Sequence, residues 1–334
     1  MNIVFLVILQ RGVQGLLEAG LITAGLFYVF LAVSVIRKAG FSFSRPELRR
    51  MLAFGLPLIP GALGLWILAV SDRYFLQFLS TSHELGLYSL GYKFGVAIDF
   101  LLIGPFQLSW LPFVFSTAGE ANAKEVFSRV LTYFLFVIIL IALAISVLAK
   151  EVLAVMATPV FQEAYKVIPL ITLSYVLYGC YFALNLGIYV GGKTKYLAVF
   201  VGASAVLNLG LNLLLVPRYG MMGAAVATLT CYLMLPIASY FISKRYYAVN
   251  YEWGRIVKIA LAASLVYAAS FLVGQSYALV HSHLIVGVFK LLTLLAYPIL
   301  LYMLRFFKPE ELQKAGELLK GAGRLLLRNQ SRLP

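Results

Sequence analysis

A few ionisable side chains lie within long apolar stretches of this sequence, and their types are suited to binding ions or phosphate. Asp72 and Asp99 are carboxylates that can exchange a proton or hold a cation, whereas Arg73 and Lys93 are cations that attract a diphosphate. An ionisable group at the centre of a membrane helix costs about 2.5 to 3.5 kcal/mol, so such a group is a functional candidate by default. We therefore take Asp72 and Asp99 as candidate ion-coupling residues, and Arg73 and Lys93 as candidate substrate-binding residues.

The spacing of these four residues limits how they pair. Asp72 and Arg73 are adjacent near the outer end of one predicted helix, where they could form a local ion pair or anchor the helix at the interface. Lys93 and Asp99 are six positions apart, about 600° of helix rotation, so they face different sides of a helix and are not expected to pair directly.

Uncharged polar residues supply a second set of candidates. Asn208 and Asn212 are spaced i, i+4, and such amides hold adjacent helices together in lipid, so a structural role is favoured over substrate contact. Gln107 lies beside the predicted helix break at Gly104-Pro105 and is a further candidate for substrate contact. One apolar stretch carries a stripe that either stacks on sugar rings or packs between helices: Tyr175, Tyr178, Phe182, Asn185 and Tyr189.

The stretch GIYVGGKT, residues 187–194, fits the letter pattern of a phosphate-binding P-loop. That pattern requires a buried strand before the loop and a helix after it, whereas this stretch joins two long apolar segments. We interpret the match as coincidental and expect Gly191 and Gly192 to end a helix. His281 and His283 have no acidic or cysteine neighbours, so the sequence predicts no metal site there. It also lacks HExxH, GxSxG and the paired acidic motif of metal-dependent glycosyltransferases, and its loops are too short to hold a soluble catalytic domain, so we expect no cofactor and no enzyme.

The composition indicates a protein embedded in lipid. The chain has 334 residues, of which 62% are hydrophobic and 12% are charged. Because soluble domains average about 25% charged residues, a single globular core cannot bury this much apolar side chain. Cys180 and Cys231 lie inside apolar runs and are read as packed hydrophobic residues.

Apolar stretches of roughly 20 residues or more predict nine membrane passes. They lie near residues 14–36, 51–79, 85–115, 127–149, 166–190, 195–216, 222–243, 256–280 and 284–306. Broken helices are expected at the prolines of the second and third passes. Residues 1–10 resemble a further pass that is cut short.

The loop charges predict the orientation. Twenty Lys and Arg residues fall on one side of these passes and five on the other, which places the C-terminus in the cytoplasm of a multi-pass protein of the inner (plasma) membrane. The net charge of +14 is attributed to this topology and to attraction for anionic membrane lipids, with no indication of nucleic-acid binding. Residues 307–334 form a basic amphipathic tail, which is either an interfacial helix or a frayed segment.

Two longer stretches carry a family resemblance. They are LAFGLPLIPGALGLWILAVSDRYFL with the following GLYSLGYKFG and PFQLSWLPFVFS (residues 52–116), and KTKYLAVFVGASAVLNLGLNLLLVPRYGMMGAAVATL (residues 193–229). The chain resembles the polysaccharide biosynthesis proteins, the Wzx-type flippases related to the MATE exporters, over nearly all of residues 1–306.

The resemblance implies an all-α integral membrane transporter with two lobes around a central cavity. Residues 1–48 would correspond to the end of the first lobe, residues 49–306 to a second lobe of eight helices, and the remaining tail to a cytoplasmic segment. The chain would be a natural half-transporter, a fragment or a mis-started gene model, and we expect one of the latter two.

The resemblance also implies a function. Such proteins are expected to move an undecaprenyl-diphosphate-linked oligosaccharide across the membrane by alternating access, with an ion gradient as the driving force. They are also expected to work beside the glycosyltransferases and polymerase of the same pathway. The alternatives are a MATE-type exporter of small molecules, a lipid II flippase, and a fragment that does not transport. The glycan, the coupling ion and the oligomeric state stay open.

Overall fold

A computed structural model describes residues 4–5, 11–40, 43–56, 59–276, 283–311 and 313. Within them every regular element is helical and no strand occurs. The helices are α1 Gly12–Ala39, α2 Arg45–Gly55, α3 Ile59–Leu79, α4 Ser82–Ile98, α5 Gly104–Thr117, α6 Ala123–Met156, α7 Ile168–Leu184, α8 Leu186–Val190, α9 Lys195–Tyr246, α10 Trp253–Ser276 and α11 His283–Met303. A π-helical turn, Asp99–Ile103, joins α4 to α5, and a 3₁₀ segment, Pro159–Lys166, precedes α7.

The chain divides into two compact units, residues 1–57 and 58–334. The first contains α1 and α2. Gln14–Lys38 is apolar enough to cross a membrane, whereas α2 is short and carries charges. The second unit contains all of the remaining helices, including the helices that carry the candidate residues.

Among the described residues, eight helices are long and apolar enough to span a bilayer, which confirms an all-α integral membrane protein. They are Gln14–Lys38, Ile59–Leu79, Ser82–Thr117, Ala123–Met156, Ile168–Val190, Lys195–Tyr246, Trp253–Gly274 and Val286–Met303. Each overlaps a predicted pass, and Lys195–Tyr246 contains two of them. The difference from nine passes is therefore confined to α9. The predicted pass 51–79 begins too early, because residues 51–55 belong to α2 and the spanning helix begins at Ile59.

The helix α9 folds back on itself at Gly220. Its 52 residues would extend about 78 Å if straight, far more than the roughly 30 Å of the hydrocarbon core. Gly220 has φ 53° and ψ −131°, which is not helical. A Cβ on Gly223 would collide with the backbone of Leu215, so residues on both sides of the break lie close together. The two arms of α9, residues 195–219 and 221–246, thus form a helical hairpin and give the two predicted passes.

The long span Ser82–Thr117 is interrupted where the sequence predicts a break. The π-helical turn Asp99–Ile103 ends directly before Gly104-Pro105, and Gly104 donates to the carbonyl of Asp99 across five residues. Because Pro105 has no backbone N–H, it cannot continue the α-helical ladder through this point. Pro112, by contrast, lies inside α5 without ending it.

The centre of the second unit is α7. In the most apolar 18-residue window of the span Ile168–Val190, 72% of the residues are buried, against 39% or less in the corresponding windows of the other spans. Because its side chains contact protein rather than lipid, this span can carry more polar residues: the mean hydropathy of its window is 1.4, against 2.9 for Ala123–Met156. The helices α6 and α9 pack against α7, with α4 covering part of it.

The segment that follows α11 is held against α10 by charged and aromatic contacts. Arg255 donates from both terminal nitrogens to Glu311, at 3.2 and 2.9 Å, and its guanidinium lies 4.4 Å from the ring centre of Phe306. Glu252 pairs with Arg255 at 2.9 Å and with Lys308 at 2.7 Å. Of the predicted tail, the structure describes residues 307–311 and 313, and the rest lies outside the described residues, as do His281 and most of residues 1–10.

Candidate functional site

Asp72 on α3 is fully buried and accepts hydrogen bonds from three other helical segments. Its Oδ2 accepts from the hydroxyl of Tyr88 on α4, at 2.5 Å, and from the hydroxyl of Thr228 on the second arm of α9. Its Oδ1 accepts from the side-chain amides of Asn212, at 2.7 Å, and Asn208, at 3.3 Å, on the first arm of α9. One carboxylate thus joins three helices through four neutral donors.

The asparagines are also bonded to each other and to α3. Asn212 Nδ2 lies 3.0 Å from both the backbone and the side-chain oxygen of Asn208. Ser71 donates to the same side-chain oxygen at 2.6 Å. Asn208 and Asn212 therefore link helices, as a structural role requires, and they also contact Asp72 directly.

Two hairpins bring these residues to the same depth. The turn between α3 and α4 lies at Ser80, with Asp72 eight positions before it and Tyr88 eight positions after it. The turn within α9 lies at Gly220, with Asn212 eight positions before it and Thr228 eight positions after it. At 1.5 Å per residue, all four side chains lie about 12 Å from their turns. In a straight helix Asn212 and Thr228 would be about 24 Å apart and could not share a carboxylate.

Glu84 joins the two turns, a role that its place in the sequence does not predict. Its Oε2 accepts from Ser80 Oγ at 2.5 Å and from the backbone N–H of Met221 at 3.1 Å, beside the non-helical Gly220. Thr81 caps α4 by accepting from the backbone N–H of Glu84. The sequence TSHE matches a capping box, which signals a helix start but not a contact with α9.

The site can hold a proton or a cation. A carboxylate without a cationic partner is costly to bury, and neutral donors compensate only part of that cost. Protonation of Asp72 removes the charge. A bound hard cation balances it and prefers oxygen ligands, which Asp72, Thr228 and Tyr88 supply. The side-chain oxygen of Asn212 is also buried and receives no hydrogen bond.

Asp72 and Arg73 do not form the local ion pair that the sequence left open. Arg73 donates to the carbonyl of Ala69 at 2.7 Å, and its guanidinium lies 4.3 Å from the ring centre of Tyr92. Adjacent residues of a helix point about 100° apart. Asp72 therefore faces the buried network while Arg73 stacks on an aromatic face outside it.

Lys93 and Asp99 lie apart from this network. Lys93 on α4 is exposed, and Asp99 begins the π-helical turn and is half-buried. Neither forms an ion pair in the described part of the chain, in agreement with their predicted separation on the helix.

Gln107, Tyr178 and Asn185 do not hydrogen-bond to Asp72. Gln107 is half-buried on α5. Tyr178 stacks on Tyr232 with ring centres 5.2 Å apart and meets Phe182 edge to face at 4.8 Å, a packing role for this part of the stripe. Asn185 is fully buried between α7 and α8, where its backbone carbonyl accepts the N–H of Ile188.

Residues 187–194 have the geometry of a helix end. Gly187 in α8 donates its N–H to Ser243 at 2.7 Å, and α8 ends at Val190. Gly192 has φ 63°, a left-handed conformation that suits glycine. Helices precede and follow this turn, so the strand that a P-loop needs is replaced by a helix.

Comparison with known proteins supports the family indicated by the sequence. Residues 3–118 match the family model of the polysaccharide biosynthesis protein. That range contains Asp72, Tyr88 and Glu84, whereas Asn208, Asn212 and Thr228 lie beyond it. No curated protein sequence matches this chain significantly.

The fold is shared with a solved flippase. The chain is similar to the lipid II flippase MurJ in an inward closed conformation, with a TM-score of 0.62 and 18% sequence identity. The similarity covers 82% of this chain and 59% of that chain, so this chain spans about three fifths of that structure. The family model thus supports the resemblance to the polysaccharide biosynthesis proteins over residues 3–118, and the shared fold is that of a multi-pass membrane protein.

Proposed function

We propose that residues 49–306 of this chain form the second lobe, and residues 1–48 the end of the first lobe, of a transporter that flips an undecaprenyl-diphosphate-linked oligosaccharide across the inner membrane. The family model and the flippase fold support movement of a lipid-linked substrate. The observation that carries the proposal is the buried network of Asp72, which joins α3, α4 and both arms of α9.

The network couples an ion to helix packing. Asp72 changes its bonding when it gains or loses a proton or a cation, and its donors lie on three different segments, namely α4 and the two arms of α9. An ion with different affinities for two arrangements of these helices shifts the balance between them. The network therefore serves as the element through which an ion gradient drives alternating access. Asp99 is the second candidate for ion coupling.

The substrate contacts are proposed from charge and exposure. Lys93 is exposed and without an acidic partner in the described residues, so its ammonium is free to attract a diphosphate. Arg73, Gln107, Tyr178 and Asn185 are the further candidates for contact with the carrier or its sugars. Of these, the fully buried Asn185 and the packed Tyr178 require movement of the helices around α7 to reach the substrate. In the proposed orientation the C-terminus is cytoplasmic. The glycosyltransferases of the pathway deliver the glycan to the transporter, and the polymerase receives it.

Lipid II is the alternative substrate, because the solved structure with the same fold is a lipid II flippase. Both substrates combine a polyprenyl chain, a diphosphate and a glycan, so the same site chemistry serves either. Deletion of the gene distinguishes them: loss of surface polysaccharide with intact cell wall supports the proposed substrate, whereas lysis supports lipid II.

The direct test is Asp72→Asn, produced in cells from which the gene has been deleted. The substitution keeps the size of the side chain and removes its charge and its titration. We expect export of the surface polysaccharide to fall at least tenfold at unchanged protein level, measured by quantifying the glycan on the cell surface. Thr23→Val, which removes an intrahelical hydroxyl bond to Ala19 on α1, is the control and is expected to export normally. Normal export by Asp72→Asn would remove this site from the mechanism.

A further inference from the structure

An apolar groove runs along α6 beside α5, at the end of α6 that the loop charges assign to the cytoplasm. Its volume is about 610 Å³. Its walls are apolar except for Tyr133 and Arg129, and the apolar lining consists of Phe106, Val126, Val130, Phe134 and Val137. The lining residues of α6 recur every three or four positions, so they form one continuous face of the helix.

The length of the groove matches one membrane leaflet. Val126 and Val137 are eleven positions apart, which is about 16 Å along a helix. Half of the hydrocarbon core is about 15 Å. The stacked rings of Phe106 and Phe134, with centres 4.0 Å apart, form part of the wall. The groove therefore accommodates an extended acyl chain from the headgroup level to near the midplane.

Arg129 places a cation at the headgroup end of this groove. Its acidic neighbour, Glu125, is 3.9 Å away, and the two side chains are 47% and 76% exposed. An exposed pair at this distance contributes little, so the guanidinium stays available for another anion. A guanidinium binds phosphate with two parallel hydrogen bonds, a geometry that ammonium lacks.

We propose that this groove binds one acyl chain of an anionic phospholipid of the cytoplasmic leaflet, with the lipid phosphate at Arg129. Charge complementarity favours an anionic over a zwitterionic lipid, since the zwitterionic headgroup brings its own cation to Arg129. The bound chain also covers the ring of Tyr133, whose hydroxyl accepts from Arg255 at 3.4 Å. The site is separate from the Asp72 network and does not depend on the proposed substrate.

Trp110 reports on this groove, because its ring lies 5.1 Å from that of Phe106. In a Trp66→Phe, Trp253→Phe background it is the one remaining tryptophan of the three in the sequence. The protein is placed in nanodiscs of phosphatidylcholine with equal fractions of brominated phosphatidylglycerol or brominated phosphatidylcholine, and fluorescence quenching is measured. We expect at least twofold stronger quenching by the brominated phosphatidylglycerol.

The proposal requires the stronger quenching by brominated phosphatidylglycerol, relative to brominated phosphatidylcholine, to depend on Arg129. Arg129→Gln is expected to abolish it, and Arg129→Lys to retain part of it. Lys124→Gln removes a nearby cation that does not line the groove and is expected to leave the preference unchanged. Val130→Phe fills the groove and is expected to lower quenching by both lipids, with circular dichroism confirming that each variant is folded.

Three outcomes would overturn the proposal. Equal quenching by the two brominated lipids in the parent would show that acyl chains enter without headgroup recognition. An unchanged preference in Arg129→Gln would place the anionic lipid elsewhere. Absence of quenching by either lipid would show that protein rather than lipid covers the groove.

Discussion

Thr228 and Tyr88 donate to the same oxygen of Asp72, so their hydroxyl groups can be removed one at a time without touching the carboxylate. Hydrogen bonds to a charged group contribute about 1.5–3 kcal/mol. Their loss changes the relative stability of the ionised, protonated and ion-bound forms of Asp72. The hydroxyls therefore tune the ion concentration at which the proposed switch operates.

Thr228→Val keeps the shape of the side chain and removes one of these bonds. We expect the ion concentration for half-maximal transport to shift by about tenfold or more, in proportion to the bond energy. Transport is measured in proteoliposomes against proton or sodium concentration. Thr230→Val, whose hydroxyl bonds only to the carbonyl of Val226 on the same helix, is the matched control. Equal ion dependence of the two variants would contradict the assignment.

At the scale of single residues, the sequence predicts the importance of Asp72 but not its hydrogen-bond partners. A lone carboxylate in an apolar run is visible directly, and the i, i+4 asparagines are visible as a helix face. Their meeting is not visible, because Asn212 is 140 positions from Asp72 and no local pattern encodes that pairing. The adjacent Arg73 was the nearest available partner in sequence, and helix geometry turns it away.

The hairpin of α9 is the element on which the site depends, and it depends in turn on Gly220. With φ 53° and ψ −131°, this residue occupies a region that is costly for any residue with a Cβ. An added methyl group would also overlap the carboxylate of Glu84, which bonds to Met221. A side chain at position 220 would therefore both strain the backbone and displace Glu84 from its hydrogen bond to Met221.

Gly220→Ala is expected to destabilise the protein by about 1–3 kcal/mol, the usual cost of such a backbone conformation. Thermal unfolding in detergent measures the change. Gly202→Ala, in the first arm of the same helix with ordinary φ and no neighbour within 4 Å of the added carbon, is expected to leave the melting temperature unchanged or raise it. A melting temperature for Gly220→Ala equal to that of Gly202→Ala would show that the turn tolerates a side chain.

The elements themselves were largely predictable. Long apolar runs and alternating loop charge predict the passes. In the sequence, Arg218 interrupts the apolar run that becomes α9, two positions before Gly220, where the structure shows the turn. The π-helical turn before Gly104-Pro105 follows from the proline. The contact of Glu84 with the second hairpin was not predictable, because a capping box explains that glutamate locally.

At the scale of the whole molecule, the segment after α11 packs against α10 through the ion pairs of Glu252 and Glu311. The pKa values of both glutamates are lowered. Burial by itself raises the pKa of Glu252, but the hydrogen bond from Lys308 and the charge of Arg255 outweigh it. For Glu311, burial is likewise outweighed by bonds from the Lys308 backbone, Tyr133 and Arg255. A lowered pKa means that the contact stabilises the folded state above the ordinary glutamate pKa, and that this stabilisation is lost as the pH falls through the lowered value.

Glu311→Gln is therefore expected to lower stability at pH 7 by about 1 kcal/mol, since the pair is partly exposed. The difference from the parent should shrink as the pH falls below about 4.5. Unfolding of both proteins as a function of pH measures it. Glu163→Gln breaks the exposed pair with Lys166 and is expected to change little at any pH. A pH-independent difference for Glu311→Gln would refute the charge contribution.

The separation of the Asp72 partners along the chain also has a consequence for biosynthesis. Ribosomes deliver α3 and α4 to the bilayer more than a hundred residues before Asn208, Asn212 and Thr228 emerge. During that interval Tyr88, from the neighbouring helix, is the one hydrogen-bonding side chain of the network outside α3 that has been synthesised. The nascent protein must therefore carry Asp72 protonated, or shelter it at the translocon, until the last arm of α9 is inserted.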